Sequence, residues 1–354
     1  MRIGGREMVK VEIDDAVRSF ALVYSQQVMA TCADVVEKLA ELGTFVADNN
    51  DWNDKSAITD YIDLLIADYP KVLTLEPIEW KQYIDKYNEV LKREPDMLKV
   101  KVAYRKTETK VFKGKLYERI IECLQYAKAR VILGEIHQQM GLKTCVYCNA
   151  IPTMSNNGEV FYQMDHYLPQ SLYPFLGTCF YNLQPSCGVC NDYKKTKNCD
   201  FGLYVNSEQH KDLSPFRFVP KVKNLDGPYP ECEDIQFRGK GANVTKESKA
   251  HEEMFHINNL YAGYKDEVSA LYTDAYKMNP SMVEVNAACL GIPATKEDVL
   301  AYMSGHLSLE EKDVHRKTLT KLKQDTIKQL KEGGVFVTTY YISLYYDYRL
   351  FFGI

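Results

Sequence analysis

The chain has 354 residues, which is long enough for two or three domains with a substantial buried core. Its 45% hydrophobic and 26% charged residues are ordinary for a globular protein, and its formal net charge of −4 excludes a globally basic nucleic-acid-binding protein. No apolar run could cross a bilayer, and the first residues, MRIGGREMVKVEIDD, lack the apolar core of a secretory signal. We therefore expect a cytoplasmic protein without membrane association.

Residues 1–140 are predicted to form a helical region. From about residue 9 to residue 140, apolar residues recur at intervals of three and four, which is the helical period. We expect the last helix to be long and to end at Gly141, just before the first cysteine pair. The sequences that carry the pattern are VEIDDAVRSFALVYSQQVMATCADVVEKLAELGTFV, ITDYIDLLIADYPKVL, PIEWKQYIDKYNEVLKRE and LYERIIECLQYAKARVILGEIHQQMGLK.

Residues 141–200 differ in kind, because they are rich in Asn, Pro, Gly and Cys. The sequence predicts one strand there, EVFYQMDH, directly after the turn signal SNNG. Residues 201–354 are predicted as an irregular, proline-containing segment followed by helices. Together, the three parts indicate an α+β protein.

The third part contains several separate predictions. IQFRGKGANVT is predicted as a hairpin turning at Gly239–Gly241, and helices are expected over KESKAHEEMFHINNLYAGYKDEVSALYTDAYKM, TKEDVLAYMSG and LSLEEKDVHRKTLTKLKQDTIKQLKEGG. The aromatic tail VFVTTYYISLYYDYRLFFGI is expected to pack on a core or on a partner subunit.

Two Cys-x-x-Cys pairs, Cys145/Cys148 and Cys187/Cys190, are the strongest chemical signal in the chain. Each pair can place two thiolates on one ion, and two pairs complete the tetrahedral set of a structural zinc site. The 38 residues between Cys148 and Cys187 would then form a small unit closed by the metal. The alternatives are unrelated free thiols or a redox pair, and the latter would require a single motif beside a βαβ pattern.

Several other elements of the segment occur in a recognisable order. CVYC is followed by DHYLPQS, then by NLQPSCGVCN, and then by DYKKTK. From about Thr144 to Asn198 this pattern resembles the zinc-knuckle type of the HNH, or ββα-metal, endonuclease family. The resemblance implies a small ββα-metal unit, embedded between the helical regions, that hydrolyses phosphodiester bonds. The last histidine of the family's name corresponds to Asn191 here.

The residue chemistry is consistent with that activity. A neutral histidine can take a proton from water, so His166 is the candidate general base. Asp165 and Asn191 offer a carboxylate and an amide oxygen to a single catalytic Mg²⁺ or Mn²⁺ ion. In the family pattern, Asn182 pins the loop that carries the histidine. A lone Asp-His pair is usually structural, and only the surrounding motif favours catalysis here.

Lysines following the second cysteine pair are candidate phosphate ligands. On a helix that begins near Cys187, Asn191 and Lys194 would share a face, so Lys194 could reach a phosphate. Lys197 is a second candidate, although a lysine on a helix is commonly only solvated. Three longer basic segments, 99–115, 194–223 and 312–331, each carry seven Lys or Arg against one, three and two acids, respectively. Together they favour a localised phosphate-facing surface.

The arrangement of helical region, HNH unit and helical region also resembles HNH subunits of bacterial antiphage systems of the Septu and retron-associated types. That resemblance implies a defence effector acting beside an ATPase subunit, because this chain has no nucleotide-binding loop of its own. DNA is the expected substrate, with RNA as the alternative. The competing hypotheses are a non-catalytic zinc-knuckle module that binds nucleic acid or a partner, and a structural subunit built around the helical arms.

Overall fold

The computed structural model describes residues 10–107, 110–206, 215–225, 229–241, 245–277, 289 and 310–332. It combines helices with small two-stranded sheets, so the fold class is α+β as predicted. The chain divides into two compact units. The N-terminal unit comprises Lys10–Val146 and Pro152–Lys211, and the C-terminal unit comprises Met1–Val9, Tyr147–Ile151 and Asp212–Ile354. This division differs from the predicted three parts, since most of segment 141–200 shares a unit with the helical region that precedes it.

Six helices form most of the N-terminal unit. Acidic residues begin two of them: Asp14 accepts a hydrogen bond from the Val17 amide at 2.9 Å, and Asp54 accepts one from the Ser56 amide at 3.0 Å. The apolar faces of these helices are buried together, as the helical spacing predicted. The helices are α1 (Asp15–Thr31), α2 (Val35–Asp48), α3 (Lys55–Val72), α4 (Trp80–Leu91), α5 (Leu116–Cys123) and α6 (Tyr126–Gln139).

The long helix predicted before the first cysteine pair is two helices, α5 and α6. Gln125 lies between them in the left-handed region with φ of 54°, which interrupts the helical hydrogen-bond ladder. Gly141 has φ of 78° and follows the end of α6, so the predicted terminus is confirmed.

A β-hairpin lies inside the region that was predicted to be mostly helical, between two of the segments that carry the helical pattern. Strand β2 (Lys101–Thr107) pairs antiparallel with β3 (Lys110–Lys115). Asn50 completes the outer edge of β2, because its side chain accepts from the Ala103 amide at 2.7 Å and donates to the Ala103 carbonyl at 3.3 Å. Tertiary packing and strand alternation therefore determine this segment, and the sequence analysis did not predict its strands.

The central segment contains short strands and one short helix. The predicted strand EVFYQMDH is two strands, which pair with different partners. Asn157 and Gly158 supply the left-handed backbone of the preceding turn, with φ of 50° and 79°. The elements are β4 (Ser155–Asn156), β5 (Glu159–Val160), β6 (Gln163–His166), β7 (Leu183–Ser186), α7 (Gly188–Lys194) and β8 (Tyr204–Val205), which pairs in parallel with β1 (Val11–Glu12).

The C-terminal unit is built on one long hairpin covered by helices. Strand β9 (Phe216–Lys223) pairs antiparallel with β10 (Glu231–Gly239). β10 ends at Gly239 and pairs with the preceding strand β9, and residues 242–244, the expected second strand of the hairpin predicted to turn at Gly239–Gly241, lie outside the described residues. The helices are α8 (Thr245–Phe255), α9 (Ile257–Tyr261), α10 (Lys265–Lys277) and α11 (Thr320–Glu332).

Two predictions in this region lie outside the described residues: the helix at 295–305 and the packing of the tail at 335–354. Among the helices that the structure does describe, none combines the length and hydropathy needed to cross a bilayer.

Candidate functional site

The four cysteines of the two pairs converge. Their Sγ atoms all lie within 4.8 Å of one another, and all four side chains are buried. Zinc bound tetrahedrally to thiolates at about 2.3 Å would separate the sulfur atoms by about 3.8 Å, so only a small contraction is needed. Cys187 Sγ also accepts a hydrogen bond from the Cys190 amide at 3.4 Å, which favours a thiolate at that position. The cluster can hold a metal ion such as zinc.

Backbone contacts position the first pair beside the strand that leads to the second. The Val146 amide donates to the Pro185 carbonyl in β7 at 3.1 Å. On the other side of the loop, the Thr153 amide donates to the Lys143 carbonyl at 2.8 Å. Cys187 is then the N-cap of α7, directly after β7. The cysteines therefore join the ends of the inserted segment, as their spacing predicted.

Strands β6 and β7 and helix α7 form the frame of the candidate site. The strands pair antiparallel, with Asp165 opposite Gln184 and His166 opposite Leu183. Helix α7 follows at once and packs on β6. Asn191 Nδ2 donates to the Gln163 side chain, and Lys194 reaches Asp165, two residues further along the same strand. Asn191 and Lys194 thus share the helix face that covers β6.

Asp165 and Lys194 form a buried ion pair. The Lys194 Nζ lies 3.2 Å from Asp165 Oδ1 and 3.1 Å from Oδ2, and it donates to the His166 carbonyl at 2.8 Å. Their side chains are 0% and 3% exposed. Lys194 is therefore directed into the protein, unlike the surface position expected of a phosphate ligand. Lys197, by contrast, is exposed.

The imidazole of His166 is held by one hydrogen bond. Its Nε2 lies 2.9 Å from the Gly177 carbonyl oxygen, and since a carbonyl only accepts, Nε2 carries the proton. Among the residues that the structure describes, none hydrogen-bonds to Nδ1. Burial lowers the pKa of His166 to about 4; the Gly177 carbonyl raises it, and the Lys194 ammonium lowers it further. At neutral pH the ring is uncharged, with its basic nitrogen at Nδ1.

Asn182 fastens the loop that follows His166. Its Oδ1 accepts from the Leu168 amide at 2.7 Å, and its Nδ2 donates to the carbonyls of Leu168 at 3.2 Å and Leu176 at 3.1 Å. The side chain is fully buried. One amide therefore ties both ends of the loop from Leu168 to Leu176, and Gly177 comes next in the chain.

The structure also places residues at the site that the sequence did not single out. Gln163 binds Asn191, and the Tyr126 ring lies 5.0 Å from the His166 ring, centroid to centroid. A Cβ on Gly177 would overlap Ile121 Cδ1, so only glycine fits between α5 and the loop. Gly177 acts through its carbonyl, and a residue without a side chain gives no chemical signal in a sequence.

No protein-family model, no curated protein and no solved structure matches this chain. The structure brings Asp165 and Lys194 together, and Gln163 on the same strand as Asp165 holds the side chain of Asn191 from helix α7.

Proposed function

We propose that this protein is a metal-dependent HNH endonuclease that hydrolyses phosphodiester bonds in DNA. The observation that carries the proposal is the environment of His166. Its ring is neutral, it is oriented by a hydrogen bond from Nε2 to Gly177, and its basic Nδ1 has no partner among the described residues. A carboxylate, Asp165, comes immediately before it.

In this mechanism His166 is the general base. Nδ1 takes a proton from the attacking water, and the Gly177 carbonyl accepts a hydrogen bond from the imidazolium that results. The single bond to Gly177 also fixes the orientation of the ring, which a general base requires. Asn182 contributes by fixing the loop between His166 and Gly177.

Asp165 and Asn191 offer oxygen ligands of the kind that a hard divalent cation prefers. Asp165 supplies a carboxylate, and Asn191 donates through Nδ2 to Gln163, which leaves its amide oxygen as the ligand atom. Mg²⁺ or Mn²⁺ held there would neutralise the phosphate and stabilise the leaving oxygen. A carboxylate can bind more than one partner, so the ion pair with Lys194 does not exclude this role.

The buried position of Lys194 changes its proposed role. We assign it to positioning Asp165, because its ammonium lies between that carboxylate and the His166 carbonyl. Lys197 keeps the role of a substrate contact, since it is exposed on the segment after α7. The order of β6, β7 and α7 beside a four-cysteine cluster supports a zinc-stabilised ββα-metal unit.

Cleavage of plasmid DNA tests the proposal. Purified protein is incubated with Mg²⁺, Mn²⁺ or a chelator, and the wild type is compared with His166→Ala. His256→Ala, which alters an exposed histidine of the C-terminal unit, is the matched control. We expect metal-dependent cleavage that only His166→Ala abolishes. Cleavage by His166→Ala at the wild-type rate would contradict the assignment of the base, and the same assay on RNA of equal length tests the substrate.

The ion pair favours a second candidate, a non-catalytic zinc-knuckle module that binds nucleic acid or a partner. Lys194 neutralises Asp165 internally, and a structural role alone could account for such a pair. This candidate predicts binding without cleavage under every metal condition.

We also propose, from the architectural resemblance, that the nuclease is the effector of an antiphage complex whose ATPase is a separate subunit. Purification from the native host, followed by measurement of ATP hydrolysis in the recovered complex, tests this part. A preparation without an associated ATPase would contradict the proposed complex, but it would not affect the proposal that the protein is a nuclease.

A further inference from the structure

The three basic segments of the sequence are not equivalent in the folded protein. In segment 312–331, Lys321 is buried against Asp325, Lys323 pairs with Glu267 at 2.8 Å, and Arg316 pairs with Asp313 at 2.6 Å. In segment 194–223 two lysines are paired in the same way, Lys194 with Asp165 and Lys223 with Glu231. Five basic residues of these two segments are therefore neutralised by ion pairs, two of them in buried pairs, while residues such as Lys197 remain exposed.

Three described lysines of the third segment, 99–115, have no ion-pair partner among the described residues. They are Lys99, Lys101 and Lys113, and all three are exposed. Lys101 lies directly opposite Lys115 in the β2–β3 register. Like charges at such positions destabilise a hairpin, so this arrangement has a cost that an anionic ligand would relieve.

Nearby acidic groups are already engaged with other residues. Glu94 accepts hydrogen bonds from the amides of Asn53 and Asp54 at 3.1 and 3.0 Å. Glu118 contacts Arg119, from the helix that follows the hairpin. Among the described residues, no carboxylate forms an ion pair with Lys99, Lys101, Lys113 or Lys115.

The hairpin is anchored from its opposite face. Val102 is fully buried, and the β2 edge is bonded to Asn50 through Ala103. A two-stranded ribbon held in this way presents its charged face as one preformed surface. Ribbons of this kind are among the elements that a nucleic-acid groove can admit.

We propose that the basic hairpin, residues 99–115, binds the phosphate backbone of the nucleic-acid substrate. The proposal rests on the proposed nuclease function and names the surface that would hold its substrate. Strand β3 continues without a break into α5, and Ile121 of α5 lies against the position of Gly177, whose carbonyl holds His166. The hairpin and the candidate base are thus parts of the same unit.

Binding of a fluorescent 20-base-pair DNA duplex by anisotropy tests the hairpin without relying on cleavage. All proteins carry His166→Ala, and no divalent ion is added. The hairpin variant is Lys99→Gln/Lys101→Gln/Lys113→Gln. The control variant is Lys81→Gln/Lys92→Gln/Lys128→Gln, which removes three exposed lysines from helical parts of the same unit.

The expected result concerns the salt dependence of Kd. Each phosphate contact adds about 0.9 to the magnitude of the slope of log K against log salt concentration. Removal of three contacts should therefore reduce the slope of the hairpin variant by about 2.7. When the salt concentration is raised from 50 to 200 mM, the affinity of the control variant for DNA should fall by a factor about 40 times larger than that of the hairpin variant. Without DNA, the hairpin variant should melt no lower than the control, because one cross-strand repulsion has been removed.

Three results would overturn the hairpin proposal. If both variants show equal slopes while the wild type with an intact His166 cleaves DNA, the nuclease stands and its substrate binds elsewhere. If only the control variant shows a weaker dependence of affinity on salt, the phosphate-binding surface lies on the helices. If the His166→Ala protein binds no nucleic acid and the wild type cuts none, both proposals fail, and an acidic protein partner becomes the occupant to test.

Discussion

The contact between Gly177 and Ile121 gives the sharpest test of how the fold holds its candidate base. Gly177 has φ of −62°, an ordinary value for any residue, so backbone conformation does not require glycine there. A Gly→Ala change at such a position would by itself stabilise a protein by about 0.4–1 kcal/mol, through the entropy of the unfolded chain. Any loss of stability in Gly177→Ala therefore measures crowding.

The structure indicates that the crowding is severe. The added Cβ would overlap Ile121 Cδ1 and lie 2.9 Å from the Pro174 carbonyl oxygen. Overpacking typically costs about 1–3 kcal/mol, and a displaced Gly177 carbonyl would leave the buried Nε2–H of His166 unsatisfied, at a further cost of about 1–3 kcal/mol. We expect Gly177→Ala to reduce the free energy of unfolding by about 2–5 kcal/mol and to reduce cleavage in parallel.

Ile121→Val offers a matched rescue, because it removes only the Cδ1 atom that the new Cβ would meet. Alone it should cost about 0.5–1.5 kcal/mol. In the double variant the two costs should not add, with an interaction energy of about 0.5–3 kcal/mol measured by urea unfolding. Cleavage should recover partly, since the Pro174 carbonyl still crowds the site. Strict additivity, or a Gly177→Ala protein as stable and active as wild type, would refute the reasoning.

Three further predictions concern the metal, the buried ion pair and a buried histidine. Metal analysis should find about one zinc per chain, lost in Cys187→Ser and retained in the control Cys199→Ser, which alters a buried cysteine outside the two pairs. A chelator should lower the melting temperature only where zinc was present. Lys194→Met removes the ammonium that neutralises the buried Asp165 and should lower the free energy of unfolding in urea by about 3–5 kcal/mol. Adding Asp165→Asn should recover most of that loss, and equal stability of the single and double variants would contradict this. Burial lowers the pKa of His137 to about 3 in the folded protein. As the pH falls below about 6.5, His137 binds a proton in the unfolded state but not in the folded state, so the free energy of unfolding decreases. Between pH 8 and pH 5, His137 should lower the free energy of unfolding by about 2 kcal/mol. The His137→Gln variant should lack this part of the pH dependence, which unfolding in urea at both pH values would measure.

The helical N-terminal region shows how far periodicity predicts a fold. The apolar spacing identified α3 and α4 because each is one amphipathic segment with punctuation at its ends. It merged α5 with α6, since the break depends on the single residue Gln125, whose left-handed backbone no side-chain pattern requires. The basic hairpin was missed for a related reason: its strands are stabilised by Asn50 and by packing around Val102, which are distant in the sequence.

The four-cysteine cluster was predictable because its chemistry is local. Two Cys-x-x-Cys pairs determine both the ligand type and the approximate geometry, whatever fold surrounds them. The partners of His166 were not predictable in the same way. Gly177 contributes a carbonyl, and Ile121 contributes only the space that it occupies, so neither carries a residue type that indicates a role.

Lys194 illustrates why spacing alone leaves a role undetermined. A separation of three residues correctly places Asn191 and Lys194 on one helix face, but the period does not say whether that face meets solvent or protein. Here β6 lies under it, and Asp165 on that strand is almost fully buried. A buried carboxylate needs a compensating charge within reach, and in the protein alone Lys194 provides it. A cation bound to Asp165 would therefore meet a carboxylate that is already oriented but partly neutralised. The ion pair between Asp165 and Lys194 would therefore lower the affinity of the proposed site for a metal ion.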